Sequence, residues 1–336
     1  MKKKIIGIIV LILIAILFWI NLSEKEENEI KDKLIIYSPH PFSFIEPLVN
    51  KFETEEGIKV EIVSKGTVEL LNMIKNEKYY GDIIWGGSLS MLLPEVDCFE
   101  KYISTNEEFI LEQYKNKSGK ITRFTAVPSV IMVNKNLIGN IKMNGFLDLL
   151  NPKLKGKIAN VNPSKSSSSF EHLINQLYAM GGDSKKGWLY IEKLIKNMNG
   201  VVLDRSSEVY EGVVNGKYTV GCTFEEAAAS YVRKGAPIEI VYPEEGVVIQ
   251  PDGLAIIKNS KNLEKSKKFV DFLTSKKVQT LIVKELNRGS VRMDVEESKG
   301  LVNSRKKIIN VDLEKIIKNK EKILEKYKNY LENYLK

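Results

Sequence analysis

The feature that most constrains the fold is the alternation, along residues 34–88, of short apolar segments with segments of helical apolar spacing. Leu34 to Ser38, Lys59 to Val63 and Asp82 to Trp85 have the length and composition of strands. A predicted helix follows each of the first two. The order strand, helix, strand, helix, strand favours a parallel sheet covered on both faces, so we predict an α/β fold.

Small polar residues stand where predicted strands end and predicted helices begin. Ligands of open α/β sheets bind beyond the carboxyl ends of the strands, and helix N-termini offer unpartnered N–H groups to anions. The candidate ligand-binding residues that meet these conditions are Ser38, His40, Gly66, Thr67, Ser88, Ser166, Ser167, Ser168, Ser169, Ser206, Ser207, Thr223 and Glu225.

The run Ser166 to Ser169 is the strongest of these signals, because an apolar-periodic helix follows it at once. Ser168 and Glu171 have the spacing of a capping box, which predicts that Ser168 caps this helix while its neighbours meet a ligand. An acidic pair, Glu225 and Glu226, closely follows Thr223. Glu226 is assigned to a helix cap there, and Glu225 is the predicted acceptor for sugar hydroxyls or an amine.

The chain of 336 residues is long enough for two cores, and its apolar content of 43% is that of a soluble globular protein. Two extended passages, Thr125 to Val133 and Val247 to Ile257, are suited to crossing between lobes, and two crossings make a hinge. We predict lobe 1 over residues 34–128 and 245–336, with an apolar stripe on the terminal helix packing against it, and lobe 2 over residues 129–244.

The N-terminus carries an export signal. Three lysines precede the apolar segment from Ile5 to Ile20, which is typical of a segment that directs a chain across a membrane. Residues 1–22 are predicted to be a signal peptide or, if uncleaved, an anchor in which residues 5–22 hold the protein to the membrane. Residues 23–33 read as a solvated linker. We expect a periplasmic or otherwise extracytoplasmic protein.

Several function classes have little support in the sequence. The net charge of +8 is spread over the chain without a basic stripe interleaved with aromatics, so nucleic acid is not an expected partner. Two cysteines and two histidines build neither a metal cluster nor an obvious triad, and glycine motifs for nucleotides are absent. We expect neither an enzyme nor a bound cofactor. Arg288 and Arg292 are interpreted as structural ion-pair residues.

Six stretches together resemble the periplasmic solute-binding proteins of ABC importers, in the branch that holds ferric-iron, phosphonate and hexose-phosphate binders. The likeness runs from about Leu34 to the C-terminus. The stretches are Tyr37–His40, Gly81–Gly87, Asn151–Lys157, Ser166–His172, Thr223–Glu226 and Pro251–Gly253.

The resemblance implies a type II periplasmic-binding-protein fold, in which two α/β lobes joined by a two-segment hinge close on a central ligand cleft. It also implies delivery of the ligand to an ABC permease and ATPase, and we expect a monomer. Ferric-iron members carry a tyrosine pair in the second lobe, whereas this chain has Thr223-Phe-Glu-Glu and only Tyr231 farther on.

A phosphorylated small molecule, sugar phosphate first, is therefore the predicted ligand, because a cleft rich in hydroxyls and helix starts suits a phosphate. The alternatives are a ferric-iron or 2-aminoethylphosphonate binding protein, or a membrane-anchored ligand sensor that feeds a two-component system.

Overall fold

The computed structural model describes residues 33–76, 80–296 and 307–335. The predicted signal segment and nearly all of the predicted linker lie outside these residues. Among the described residues, no helix combines the length and the apolar character that a membrane crossing requires. The thiols of Cys98 and Cys222 are both free.

The first lobe is built on a six-stranded sheet. In order across the sheet, its strands are β10 (Gly289–Ser290), β4 (Thr122–Val127), β9 (Gln250–Ile256), β3 (Ile83–Ser88), β1 (Lys33–Ser38) and β2 (Lys59–Ser64). The strands β1, β2 and β3 are parallel, as the alternating pattern predicted. The strand β9 runs antiparallel to both of its neighbours, β3 and β4. The helices of this lobe are α1 (Phe42–Glu56), α2 (Thr67–Lys75), α3 (Leu89–Leu92), α8 (Leu263–Thr274) and α9 (Lys276–Glu285).

The second lobe is built on a four-stranded sheet. In order across the sheet, its strands are β6 (Ile158–Ala159), β7 (Val220–Phe224), β5 (Ser129–Asn134) and β8 (Ile238–Val241). The central strand β5 runs antiparallel to β7 and β8, and β6 runs parallel to β7. The helices of this lobe are α4 (Ser167–Ala179), α5 (Lys185–Met198), α6 (Ser206–Val214) and α7 (Glu225–Arg233).

The chain passes between the two sheets at two places in the middle of the sequence. Only Pro128 separates β4 from β5, and residues 242–249 connect β8 to β9. Short connections of this kind allow two lobes to rotate about one axis while each lobe keeps its own core. Each sheet also has its own apolar cluster, around Trp85 in the first lobe and Trp188 in the second.

The terminal helices α10 (Leu313–Lys318) and α11 (Lys320–Leu335) lie against the second lobe. Ile323 and Tyr327 are buried in the same cluster as Trp188, and the ring of Tyr330 stacks on Trp188 at 5.8 Å between centroids. The prediction that the apolar stripe of this helix packs on the first lobe is therefore wrong. The stripe specified that the helix is buried on one face but not which lobe receives it.

Candidate functional site

Two adjoining cavities lie where residues of both lobes meet. We call them the inner cavity, of about 370 Å³, and the outer cavity, of about 460 Å³. Gly66 and Thr67 line both, so the two spaces are neighbours across the start of α2. The inner cavity is lined by Pro39, His40, Gly66, Thr67, Gly87, Ser88, Val127, Ser168, Glu171, Phe224, Glu226, Asp252 and Arg288. The outer cavity is lined by Gly66, Thr67, Val68, Met91, Pro163, Ser164, Lys165, Ser166, Phe170, Asp204, Arg205, Ser206, Lys320 and Leu324.

Three helices begin at the outer cavity. The residues before their first turns are Gly66 for α2, Ser166 for α4 and Arg205 for α6. The first backbone N–H groups of any helix lack acceptors within it, and the helix dipole makes its N-terminus partly positive. Three such ends facing one space make the outer cavity a site suited to an anion.

The cap of α4 is Ser166, not Ser168 as the capping-box spacing predicted. The Oγ of Ser166 accepts a hydrogen bond from the backbone N of Ser169 at 3.4 Å and lies 3.3 Å from the Oγ of Ser206. Ser168 instead lines the inner cavity. The cap lies two residues earlier than the spacing suggested, because a run of four serines offers several equivalent caps.

A buried arginine connects the two lobes across the inner cavity. Arg288, which directly precedes β10 of the first lobe, is 7% exposed. Its guanidinium binds Glu226 of the second lobe, with Nε–Oε2 at 2.7 Å and Nη2–Oε2 at 2.6 Å, and also binds the carboxylate of Asp252. The Cζ of Arg288 lies over the ring of Phe44, 4.0 Å from the ring centroid. Both acids keep the pKa of Arg288 above its usual value, although burial opposes them.

His40 has its side chain at the wall of the inner cavity. Burial, assisted by the charge of Arg288, holds the pKa of His40 well below 6.5, so the ring is neutral at pH 7. Among the described residues, its Nε2 has no hydrogen-bond partner, and Oδ2 of Asp252 lies 3.8 Å away. The free ring nitrogen of a neutral imidazole can donate one hydrogen bond to a ligand or accept one from it, depending on the tautomer.

Gly86 is required for the position of this imidazole. It has φ of +113°, and a Cβ there would lie 2.6 Å from Nε2 of His40. The Gly-Gly pair that ends β3 therefore lets the backbone approach the histidine and turn toward the helix start.

Glu171 is the third carboxyl of the inner cavity. It projects from α4 of the second lobe and lines the inner cavity together with Ser88 of the first lobe. Burial, together with the nearby charge of Asp252, raises the pKa of Glu171 to about 8, although the Ser88 hydroxyl and the charge of Lys320 oppose this rise. Glu171 is therefore mostly protonated at pH 7 and can donate a hydrogen bond.

The protonation of Glu171 gives a pH dependence of stability. The folded protein holds a proton that the unfolded chain, with a carboxyl pKa near 4.5, releases above that pH. Stability is thus lost as pH rises from about 4.5 to about 8. We expect Glu171→Gln to melt close to the wild type at pH 5 and clearly above it at pH 9, as measured by thermal unfolding. The exposed Glu264→Gln serves as control, and an equal difference at both pH values for Glu171→Gln would contradict the assignment.

The structure brings seven of the thirteen predicted site residues to the cavity walls. His40, Gly66, Thr67, Ser88 and Ser168 line the inner cavity, and Gly66, Thr67, Ser166 and Ser206 line the outer cavity. Ser167 is the first residue of α4, and its side chain lies outside the described part.

Four other predicted residues lie away from the cavity walls. Ser38 is buried and donates its hydroxyl to the carbonyl of Trp85 at 2.8 Å. Ser169 donates to the carbonyl of Val161. Thr223 is buried within β7, and Ser207 follows Ser206 in the first turn of α6 without lining either cavity. The hydroxyls of Ser38 and Ser169 thus stabilise the backbone of the protein through hydrogen bonds to carbonyl groups.

The acidic pair after β7 has the opposite arrangement to the predicted one. Glu225 is buried and accepts a hydrogen bond from the hydroxyl of Tyr242, whereas Glu226 lines the inner cavity and pairs with Arg288. Successive residues of a helix point about 100° apart, so only one of two neighbours can face a given cleft. The sequence alone did not specify which of the two glutamates faces the cleft.

Glu171, Asp252 and Arg288 line the inner cavity but were not predicted as ligand-binding residues. Glu171 had been assigned to capping, and Arg288 to a structural ion pair. A signal for Asp252 was present, since Pro251-Asp-Gly253 was among the stretches that carry the family resemblance. The convergence of the three residues depends on strand pairing between distant segments, with Asp252 next to Thr125 in the sheet.

Comparison with known proteins gives a family match. The family model described as bacterial extracellular solute-binding protein matches residues 88–319. A solved structure titled "Two-component system protein mediate signal transduction" is 35% identical and has a TM-score of 0.73. It covers 85% of this chain and 99% of its own.

Two further relatives carry names that mention a ligand. The periplasmic binding protein AfuA from Actinobacillus pleuropneumoniae, solved with fructose 6-phosphate bound, is 24% identical with a TM-score of 0.76 over 89% of this chain and 98% of its own. The iron uptake protein A1 of Synechocystis is 24% identical over 272 residues, which are 76% of this chain and 74% of that protein. The structural likenesses confirm the predicted two-lobed fold class.

Proposed function

The chain belongs to the bacterial extracellular solute-binding proteins of ABC importers, and we propose that its ligand is a phosphorylated small molecule, with a hexose phosphate first. Membership indicates an extracytoplasmic protein that works with a permease and an ATPase and is not an enzyme. The observation that carries the proposal is the convergence of three helix starts on the outer cavity, beside an inner cavity lined by polar and charged groups.

The outer cavity is the proposed phosphate subsite. Backbone N–H groups at the starts of α2, α4 and α6, together with the hydroxyls of Thr67, Ser166 and Ser206, supply donors for phosphate oxygens. Hydrogen bonds to a charged acceptor contribute about 1.5–3 kcal/mol each. A few of them give micromolar or tighter binding after the cost of association.

The inner cavity is the proposed sugar subsite. Glu226 and Asp252 offer carboxylate oxygens that accept hydrogen bonds from hydroxyls, and Arg288 offers donors in a fixed plane. Protonated Glu171 can donate a hydrogen bond to a sugar hydroxyl, and the free ring nitrogen of His40 can donate one or accept one. A bare anion would leave these groups unused, which favours a ligand with both a phosphate and several hydroxyls.

Calorimetric titration tests this proposal. We expect glucose 6-phosphate to bind with micromolar or lower Kd, and glucose and inorganic phosphate each to bind at least about a hundredfold more weakly, because each occupies one subsite. The panel also includes 2-aminoethylphosphonate, spermidine and ferric iron. Binding of ferric iron or spermidine without any response to phosphate esters would refute the phosphate assignment.

A role in signalling is the second candidate. It is favoured by the relative at 35% identity, whose title describes a two-component system protein. A sensor and an importer component bind ligand in the same cleft, but their closed, ligand-bound forms are recognised by different partner proteins. Deleting the gene separates them, since loss of uptake of labelled hexose phosphate supports the importer role and loss of ligand-induced transcription with normal uptake supports the sensor role.

Ferric iron has less support from the site. Tyr231, the tyrosine nearest to the expected iron ligands in sequence, packs against Tyr210 at 5.7 Å between ring centroids and lines neither cavity. In the described ranges, no group of three or more histidine, cysteine, aspartate or glutamate residues is arranged to hold a metal ion.

A further inference from the structure

The start of the terminal helix α11 belongs to the wall of the outer cavity. Lys320, its first residue, and Leu324, one turn later on the same face, both line that cavity together with Gly66 and Ser206. The family match ends at residue 319, so this helix lies beyond the matched segment. The cavity is therefore closed in part by an element that the family model does not cover.

Lys320 lies between the two lobes. Its Nζ is 3.4 Å from the sulfur of Met91, which belongs to α3 of the first lobe, and 5.3 Å from the ring of Phe170 on α4 of the second lobe. The rest of α11 is fixed to the second lobe by Ile323 and Tyr327. Lys320 is thus held by its own helix at the boundary that closes when the lobes approach each other.

The ammonium group of Lys320 lacks an ionic partner. Among the described residues, no carboxylate forms an ion pair with its Nζ, although Glu171 of the adjoining inner cavity is near enough for the ammonium charge to lower the pKa of that carboxyl. The hydrogen-bond acceptor of its Nζ, the thioether sulfur of Met91, is a weak acceptor. A cation at the first position of a helix is also unfavourable with respect to the helix dipole. Lys165 and Arg205 at the same cavity differ, since they pair with Asp204 and Glu208. An anion in the outer cavity would give Lys320 the missing partner.

We infer that Lys320 contacts the phosphate group of the ligand and distinguishes phosphorylated from neutral sugars, so that the terminal helix takes part in recognition. This inference rests on the proposed function, because it assigns a further contact to the same anion. A lysine acts as a point charge on a flexible stem, and such a contact strengthens binding of a dianion without affecting the sugar subsite.

Titration of Lys320→Gln with glucose 6-phosphate tests the inference. We expect Kd to rise about ten- to hundredfold, the loss typical of one charge-assisted hydrogen bond, while the weak affinity for glucose stays the same. Lys320→Arg should keep most of the affinity. Lys326→Gln is the matched control, because Lys326 lies on the same helix over the ring of Trp188 and lines neither cavity.

The outcomes separate this inference from the proposed function. Wild-type protein that binds glucose 6-phosphate, combined with an unchanged Kd in Lys320→Gln, would overturn the role of Lys320 and leave the phosphate site standing. Wild-type protein that does not respond to glucose 6-phosphate would overturn both. An equal loss of affinity in Lys320→Gln and Lys326→Gln would assign the effect to the helix as a whole and also contradict a direct contact.

Discussion

Replacing Ser206 by aspartate is expected to raise the Kd for glucose 6-phosphate about a hundredfold while the protein stays as stable as the wild type or becomes slightly more stable. Ser206 is the first residue of α6 and lines the outer cavity. A carboxylate there is favourable for the helix dipole, by about 0.3–1 kcal/mol, but places like charge beside the phosphate. At about 4 Å, such repulsion amounts to several kcal/mol in a partly buried site, of which we expect only part to appear in binding. Calorimetry and thermal unfolding measure the two effects.

The neighbouring residue provides a matched control. Ser207 lies in the same first turn but lines neither cavity, so Ser207→Asp should give the same small gain in stability with little loss of affinity. If Ser206→Asp also retains wild-type affinity, the phosphate does not lie at the start of α6. Unchanged affinity in Ser206→Asp is the result expected if Ser206 only begins the helix and does not contact the ligand.

Arg288→Met is expected to lower the free energy of unfolding by about 3–5 kcal/mol, the usual cost of removing one partner from a buried ion pair. The methionine keeps the contact with Phe44 but leaves the carboxylates of Asp252 and Glu226 without their cation. Urea unfolding followed by tryptophan fluorescence measures the change. We also expect weaker binding of glucose 6-phosphate, because the link between Arg288 and Glu226 joins the two lobes around the ligand.

Two variants establish whether this effect belongs to the site. Arg292 is similarly buried and paired with Asp294, but it lines neither cavity, so Arg292→Met should lose stability while keeping affinity. Adding Asp252→Asn to Arg288→Met should recover part of the lost stability, since one buried charge is removed. A loss below about 1 kcal/mol for Arg288→Met would show that the carboxylates are solvated or protonated without cost.

The sequence predicted the parallel part of the first sheet well because local signals determine it. The apolar segments around Ile36 and Ile84 could only be buried strands, and their polar ends necessarily met at one edge. The packing partner of α11 could not be predicted in the same way. Its apolar stripe fits any apolar surface, and the surface beside Trp188 that receives it is assembled from residues far apart in sequence.

The candidate site was predictable at its helix starts and not at its charged centre. Serines before apolar-periodic segments, such as Ser166 and Ser206, give a local signal for an anion site. Arg288, Asp252 and Glu226 come from three separate segments, and only strand pairing and closure of the lobes bring them together. The pKa of Glu171 likewise depends on burial, which the sequence around it did not reveal.

The most direct test of the central claim is a crystal structure of the protein with glucose 6-phosphate. We predict that the phosphate lies in the outer cavity, within hydrogen-bond distance of backbone N atoms at the starts of α2, α4 and α6, and that the sugar hydroxyls contact Asp252, Glu226 or Arg288. A phosphate bound directly to Arg288 in the inner cavity, or a ligand outside both cavities, would contradict the account.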